Sequence, residues 1–197
     1  MDTIKAAIFD LDGTLVDSMW VWERIDMEFL KKRGYTVPEN LKDNITHLSF
    51  KQVAQYFKTT FSIDDSVEAI MDEWHEMAYN EYSNNVFLKE GAMEYLHSLK
   101  KAGIKIALAT SNSKPLLEAT LKNNGIYDLF DSITVTDEVK KGKDNPDIYL
   151  LAAEKLNVNP VNCMVYEDIV AAVGGAKLAG MNVTAVYDKA SEKDLNI

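Results

Sequence analysis

Apolar residues change their spacing twice along this chain. Ile4 to Phe9 is a short apolar run, the mark of a buried parallel strand. After Ser18 the pattern turns helical: Trp22, Ile25 and Phe29 recur at i, i+3 and i+7, and the segment ends near Gly34. Ser49 to Phe61 predicts a second helix with Val53, Tyr56 and Phe57 on one face, and Asp64 to Tyr82 a third carrying Val67, Ile70, Met71 and Trp74. No strand pattern is visible between residues 16 and 86, so no hairpin partner is expected after Gly13. From Glu90 the periods alternate. Helices are predicted over Glu90 to Ala102, Lys114 to Asn123, Pro146 to Leu156 and Val170 to Ala179. Strands are predicted over Ile104 to Ala109, Ser132 to Val135, Cys163 to Tyr166 and Val183 to Val186. Strands separated by helices imply an α/β fold with a doubly wound parallel sheet. The expected division is a core of residues 1–16 and 87–197 with an inserted helical module of residues 17–86.

Gly103, Gly125 and Gly180 fall where helices should stop. Gly174-Gly175 falls inside a helical pattern, where each glycine costs about 1 kcal/mol. Close packing is one explanation for that pair.

Composition narrows the function classes. The formal charge of −10 over 197 residues argues against nucleic acid, which is met by a basic face. No apolar run is long enough for a membrane span, and the chain enters its first strand too early for a signal peptide. Cys163 is the single cysteine, so no intrachain disulfide forms, and its apolar surroundings suit a small core residue. A monomer in a reducing cytoplasm is the expectation. A strongly negative protein repels anionic ligands, so any phosphate site must supply its own positive charge.

Polar residues collect at the predicted strand ends, where open α/β sheets keep their ligand crevice. Asp10 and Asp12 follow the first strand, and their i, i+2 spacing lets both point into one site. Two such carboxylates are hard to keep ionised without a cation. Thr110-Ser111-Asn112 follow the second core strand. A hydroxyl and a row of amides before a helix make an anion site, and the same residues also serve as helix N-caps. Glu167-Asp168 end a later strand and suit a hard cation such as Mg²⁺, or the positive end of a helix dipole.

Asp10-Leu11-Asp12-Gly13-Thr14 resembles the first signature of the haloacid dehalogenase superfamily, and its extension through Asp17-Ser18 resembles the phosphatase and beta-phosphoglucomutase branch. Lys143-Asp144-Asn145-Pro146-Asp147 is similar to that family's lysine motif, with Asp144 in place of a proline. Tyr166-Glu167-Asp168 is similar to its acidic motif, with Ile169 for a serine and Ala172 for a glycine. The ordered motifs extend the resemblance over nearly the whole chain and imply a Rossmann-like core with a helical cap.

The resemblance further implies that Asp10 is a nucleophile forming an aspartyl-phosphate and that Asp12 is the general acid and base. It implies Mg²⁺ on the Asp10 carboxylate, the Asp12 backbone carbonyl and Asp168. Lys143 and Thr110, with Ser111 and Asn112, would meet the phosphoryl group. The substrate would be a small phosphorylated metabolite, a sugar phosphate or similar ester. The cap loop near His47 and Lys51 is the candidate for touching it, since the family often has glycine at the place of His47. The cap's Trp20, Trp22, Phe29, Phe57 and Trp74 are expected to form its own core. A phosphosugar mutase is the alternative, but Trp22 stands where mutases carry a histidine, which favours hydrolysis. A non-catalytic binding module on the same fold would not need Asp10, Asp12, Lys143 and Asp168 together.

Overall fold

The computed structural model describes residues 3–45 and 48–195. They divide into two compact units, Met1–Met19 with Tyr82–Ile197 and Trp20–Glu81.

The first unit is built on five parallel strands: β1 (Ala6–Phe9), β4 (Lys105–Thr110), β5 (Ser132–Val135), β6 (Cys163–Glu167) and β7 (Asn182–Ala185). Their order in the sheet is β5-β4-β1-β6-β7. The chain therefore builds outward from β1 to one edge, crosses back, and builds to the other. That reversal opens a crevice at the carboxyl ends of β1 and its neighbours. Phe9 is in register with both Leu108 of β4 and Tyr166 of β6, which brings the three following segments to one edge.

Alternation sorts the side chains. Ala6 and Ile8, Ala107 and Ala109, and Cys163 and Val165 share a face and are fully buried against helix α7 (Asp147–Leu156). Small residues on this face let α7 lie close to three strands. Burying a side chain such as Ile8 contributes about 1.5–3 kcal/mol. Cys163 is part of this core, and burial pushes its thiol up to about 11. Helices α5 (Ala92–Lys101), α6 (Lys114–Asn123) and α8 (Val170–Leu178) complete the unit.

A short ribbon departs from the sequence expectation. A strand does follow Gly13: β2 (Val16–Asp17) pairs antiparallel with β3 (Phe87–Leu88). Two residues are too few to show a period of two, and the partner is remote in sequence. The ribbon ties together the two places where the chain leaves and re-enters this unit.

The second unit is helical: α1 (Val21–Lys32), α2 (Leu41–Ile45), α3 (Phe50–Thr60) and α4 (Val67–Asn84), the last running on into the first unit. Phe29, Phe57 and Trp74 are buried and meet edge to face, with centroids 4.9 to 6.0 Å apart. Each such pair adds about 0.5–1.5 kcal/mol beyond area burial. Trp22 is different: it is 39% exposed, with its ring against Phe50, and does not join that core. Trp20 is half-buried under the Arg24 guanidinium. Ser49 and Gln52 close a capping box at the start of α3. No described helix is long and apolar enough to cross a membrane.

Candidate active site

Asp10 continues the ladder of β1, its amide donating to the Tyr166 carbonyl at 3.0 Å. A tight turn follows. The amides of Thr14, Leu15 and Val16 all donate to the carbonyl of Leu11, whose side chain is fully buried and anchors the turn. Gly13 is required twice here. Its φ is +77°, and a Cβ on it would lie 2.6 Å from Oδ2 of Asp168.

Three carboxylates converge beside this turn. Asp10, Glu167 and Asp168 are buried, and one oxygen of each lies within 4.8 Å of the others. The Lys143 ammonium donates to Asp10 Oδ1 at 2.7 Å and also pairs with Glu167. Glu167 accepts from the Tyr149 hydroxyl at 2.8 Å. Asp168 accepts from Thr14 at 3.2 Å on Oδ1 and from Ser191 at 2.8 Å on Oδ2.

Burial pushes the Asp10 carboxyl above its ordinary range; Lys143 opposes this, and the charge of Asp12 adds to it. Glu167 is raised by burial and by Asp10, against the pull of Lys143. Asp168 is raised mainly by burial, with Ser191 opposing. Burial alone would lower Lys143, but Asp10 and Glu167 reverse that and hold its ammonium charged. One buried cation thus faces three buried acids.

That imbalance bears on a metal. The donor set is oxygen only, as hard divalent cations prefer. Oε2 of Glu167 is buried and has no hydrogen-bond partner among the described residues. Asp10, Glu167 and Asp168 therefore fit a divalent cation. The carboxylate of Asp12 is not in this cluster. Its Oδ1 accepts from the Ser18 and Tyr82 hydroxyls, both at 2.6 Å, and its Oδ2 from Nδ2 of the Asn112 side chain at 2.8 Å.

The loop after β4 settles into a specific arrangement. Thr110 is fully buried, and its hydroxyl accepts from the Asn112 amide at 3.0 Å. The N-cap position of α6 is Ser113, whose side chain makes no capping bond, so Thr110 is not that cap. Asn112 links this loop to Asp12, and Ser111 is exposed. His47 lies outside the described residues; Lys51 is exposed near the start of α3, facing Glu68 at 4.0 Å.

Gly175 explains half of the odd glycine pair. A Cβ there would lie 2.0 Å from the Lys143 carbonyl and 2.8 Å from that of Asn145, so the glycine lets the lysine loop rest on α8. Nothing in the structure explains Gly174, whose Cβ would meet no atom of the described residues within 4 Å.

Sequence reasoning paired Glu167 with Asp168 as suited to a hard cation but left it out of the ligand set that the resemblance implies. Its signal was parity: Cys163, Val165 and Glu167 are the buried positions of β6, so an acid there must point inward. Tyr82, Tyr149 and Ser191 carried no such signal.

Comparison with known proteins places the chain in a family. The profile of the haloacid dehalogenase-like hydrolases matches residues 4–180. Hexitol phosphatase A of Escherichia coli is 34% identical over 193 residues, covering 98% of this chain and 87% of that protein. The phosphorylated carbohydrates phosphatase of Thermotoga maritima is 32% identical over 178 residues, 90% of this chain and 82% of that one. Among solved structures, a Thermotoga maritima protein provisionally named a beta-phosphoglucomutase superposes with a TM-score of 0.85 at 29% identity, covering 97% of this chain and 91% of that one. With its parallel sheet and its acids and lysine gathered at one sheet edge, the chain belongs to the haloacid dehalogenase-like hydrolase family, in the branch of phosphatases and beta-phosphoglucomutases.

Proposed function

We propose that this protein, a phosphoric monoester hydrolase, acts on a small sugar phosphate or similar metabolite with the help of Mg²⁺ and through an aspartyl-phosphate on Asp10. The observation that carries the reading is the buried group of Asp10, Lys143, Glu167 and Asp168 at the carboxyl edge of the sheet. Phosphorylated sugars are the substrate class because two relatives are named for acting on phosphorylated carbohydrates and hexitol phosphates.

In the first step a carboxylate oxygen of Asp10 attacks phosphorus and the bond to the ester oxygen breaks. Asp12 gives its proton to the departing alcohol. In the second step a water attacks the same phosphorus, Asp12 takes its proton, and the bond to Asp10 breaks to release phosphate. The ammonium of Lys143, 2.7 Å from Asp10, offsets charge on the nucleophile and then on the transferring group. The loop of Thr110, Ser111 and Asn112 faces the phosphoryl oxygens. When bound by Asp10, Asp168 and the Asp12 backbone carbonyl, with Glu167 alongside, Mg²⁺ supplies further neutralisation of phosphate charge. Water is the acceptor in this reading, since Trp22 occupies the place of the mutase histidine.

The test is turnover of an aryl phosphate and of a panel of sugar and polyol phosphates, with Mg²⁺ and after EDTA. Activity should need Mg²⁺ and should favour one sugar or polyol ester. Equal turnover in metal-free protein, or no preference for phosphorylated sugars over other esters, would count against the proposal.

A further inference from the structure

We infer that Ser191 is a positioning residue for Asp168, holding that carboxylate in place for the divalent cation; this rests on the metal reading proposed above. Asp168 is 4% exposed, so the direction of its carboxylate is set by the groups packed around it. Two hydroxyls grip it and a glycine makes room for it. The Thr14 hydroxyl donates to one oxygen, the Ser191 hydroxyl donates to the other at 2.8 Å, and the bare Cα of Gly13 leaves the space Oδ2 occupies. A carboxylate has about four acceptor sites, so two hydroxyl donors leave lone pairs for a cation. The residue after Asp168 cannot do this work: Ile169 has no side-chain donor and is 43% exposed.

Ser191 can act only if its segment is itself fixed. Lys89 fixes it. Its ammonium pairs with Asp188 at 2.7 Å, donates to the Tyr187 carbonyl at 3.1 Å and also reaches the carbonyl of Gly13. Asp188 in turn accepts from the amides of Ala190 at 2.8 Å and, through its carbonyl, of Ser191 at 3.2 Å. One lysine thus joins the turn that follows the nucleophile to the segment that grips the metal ligand. Ser191 is buried, 5% exposed, though it lies in a largely charged stretch of sequence. Fixing a ligand in advance removes the cost of ordering it when the cation arrives.

The experiment titrates Mg²⁺ alone into metal-free full chain by calorimetry, with thermal melting of the same metal-free samples. Ser191→Ala should weaken Mg²⁺ binding roughly tenfold or more, while its metal-free melting temperature stays near that of the parent. Ser191→Thr keeps the hydroxyl and should bind close to the parent. Asp168→Asn should remove binding. Parent-like Mg²⁺ affinity in Ser191→Ala, or failure of Ser191→Thr to restore it, overturns the role of Ser191 and leaves the metal reading intact. A parent that takes up no Mg²⁺ sinks both.

Discussion

At the scale of single residues the site is an imbalance of charge held under cover. Asp10, Glu167 and Asp168 are buried around Lys143, and each carboxyl is pushed up by burial. Asp10→Asn removes one of these acids while keeping the shape. Turnover should fall by roughly three orders of magnitude or more, and the metal-free protein should melt no lower than the parent, because like-charge repulsion has been reduced. Substantial activity in a well-folded Asp10→Asn protein would assign the nucleophile elsewhere. Asp10 and Asp168 were legible because their neighbours in sequence announce a strand end, and Lys143 through the likeness of Lys143-Asp144-Asn145-Pro146-Asp147 to the family's lysine motif. Glu167 was less so, since burial parity only gains meaning once β6 is known to be central. Tyr82 and Ser191 were not legible at all. They reach Asp12 and Asp168 across 70 and 23 positions, and no local pattern encodes such a contact.

At the scale of elements, the helices and core strands follow from hydrophobic period, and what escaped was too short to have one. The β2·β3 ribbon and α2 are held by partners elsewhere and not by their own sequence. Gly175 shows the same dependence on tertiary context. Its neighbour Gly174 looks identical in sequence, yet only Gly175 meets the Lys143 loop. Gly175→Ala should cost about 1–3 kcal/mol by denaturant unfolding and lower kcat, because Lys143 is displaced from Asp10. Gly174→Ala should be neutral or stabilising by up to about 1 kcal/mol, as alanine for glycine in a helix interior allows. Similar losses in both variants would mean that close approach is not what Gly175 is for.

Helix α1 offers a second test at this scale. Asp26 is half-buried, with Glu23 near and no described cation upon it; burial first and then Glu23 push its carboxyl up to about 7. A raised acid in the folded state binds its proton more tightly than the unfolded chain does. Its contribution to stability is therefore complete below the ordinary value of 3.8 and is lost as pH rises through about 7. Asp26→Asn should flatten that decline and stabilise the protein at pH 8. An unchanged slope of stability between pH 4 and 8 in the variant would place the titration on another group.

At the scale of the whole molecule the division of the chain becomes a division of labour. Every side chain assigned to phosphoryl transfer lies in the unit of Met1–Met19 and Tyr82–Ile197, and none lies in Trp20–Glu81. The phosphoryl group is common to all substrates; the leaving alcohol is not. We therefore propose that the helical unit acts as the cap that selects the ester, while the core performs the transfer. Its aromatic centre of Phe29, Phe57 and Trp74 is buried and serves its own stability, so selection falls to its loops, with His47 the candidate. His47→Ala should change the ratio of kcat/KM between a preferred sugar phosphate and an aryl phosphate, and should leave labelling of Asp10 by a small acyl phosphate near normal. Lys143→Met should instead lower all substrates together, since its ammonium sits on Asp10 and not on any leaving group. If His47→Ala keeps the substrate ranking, or blocks labelling by the small donor, then selection by His47 is wrong. If Lys143→Met alters the ranking and spares the aryl phosphate, the core reads the alcohol as well as the phosphate, and the proposed division between the two units fails.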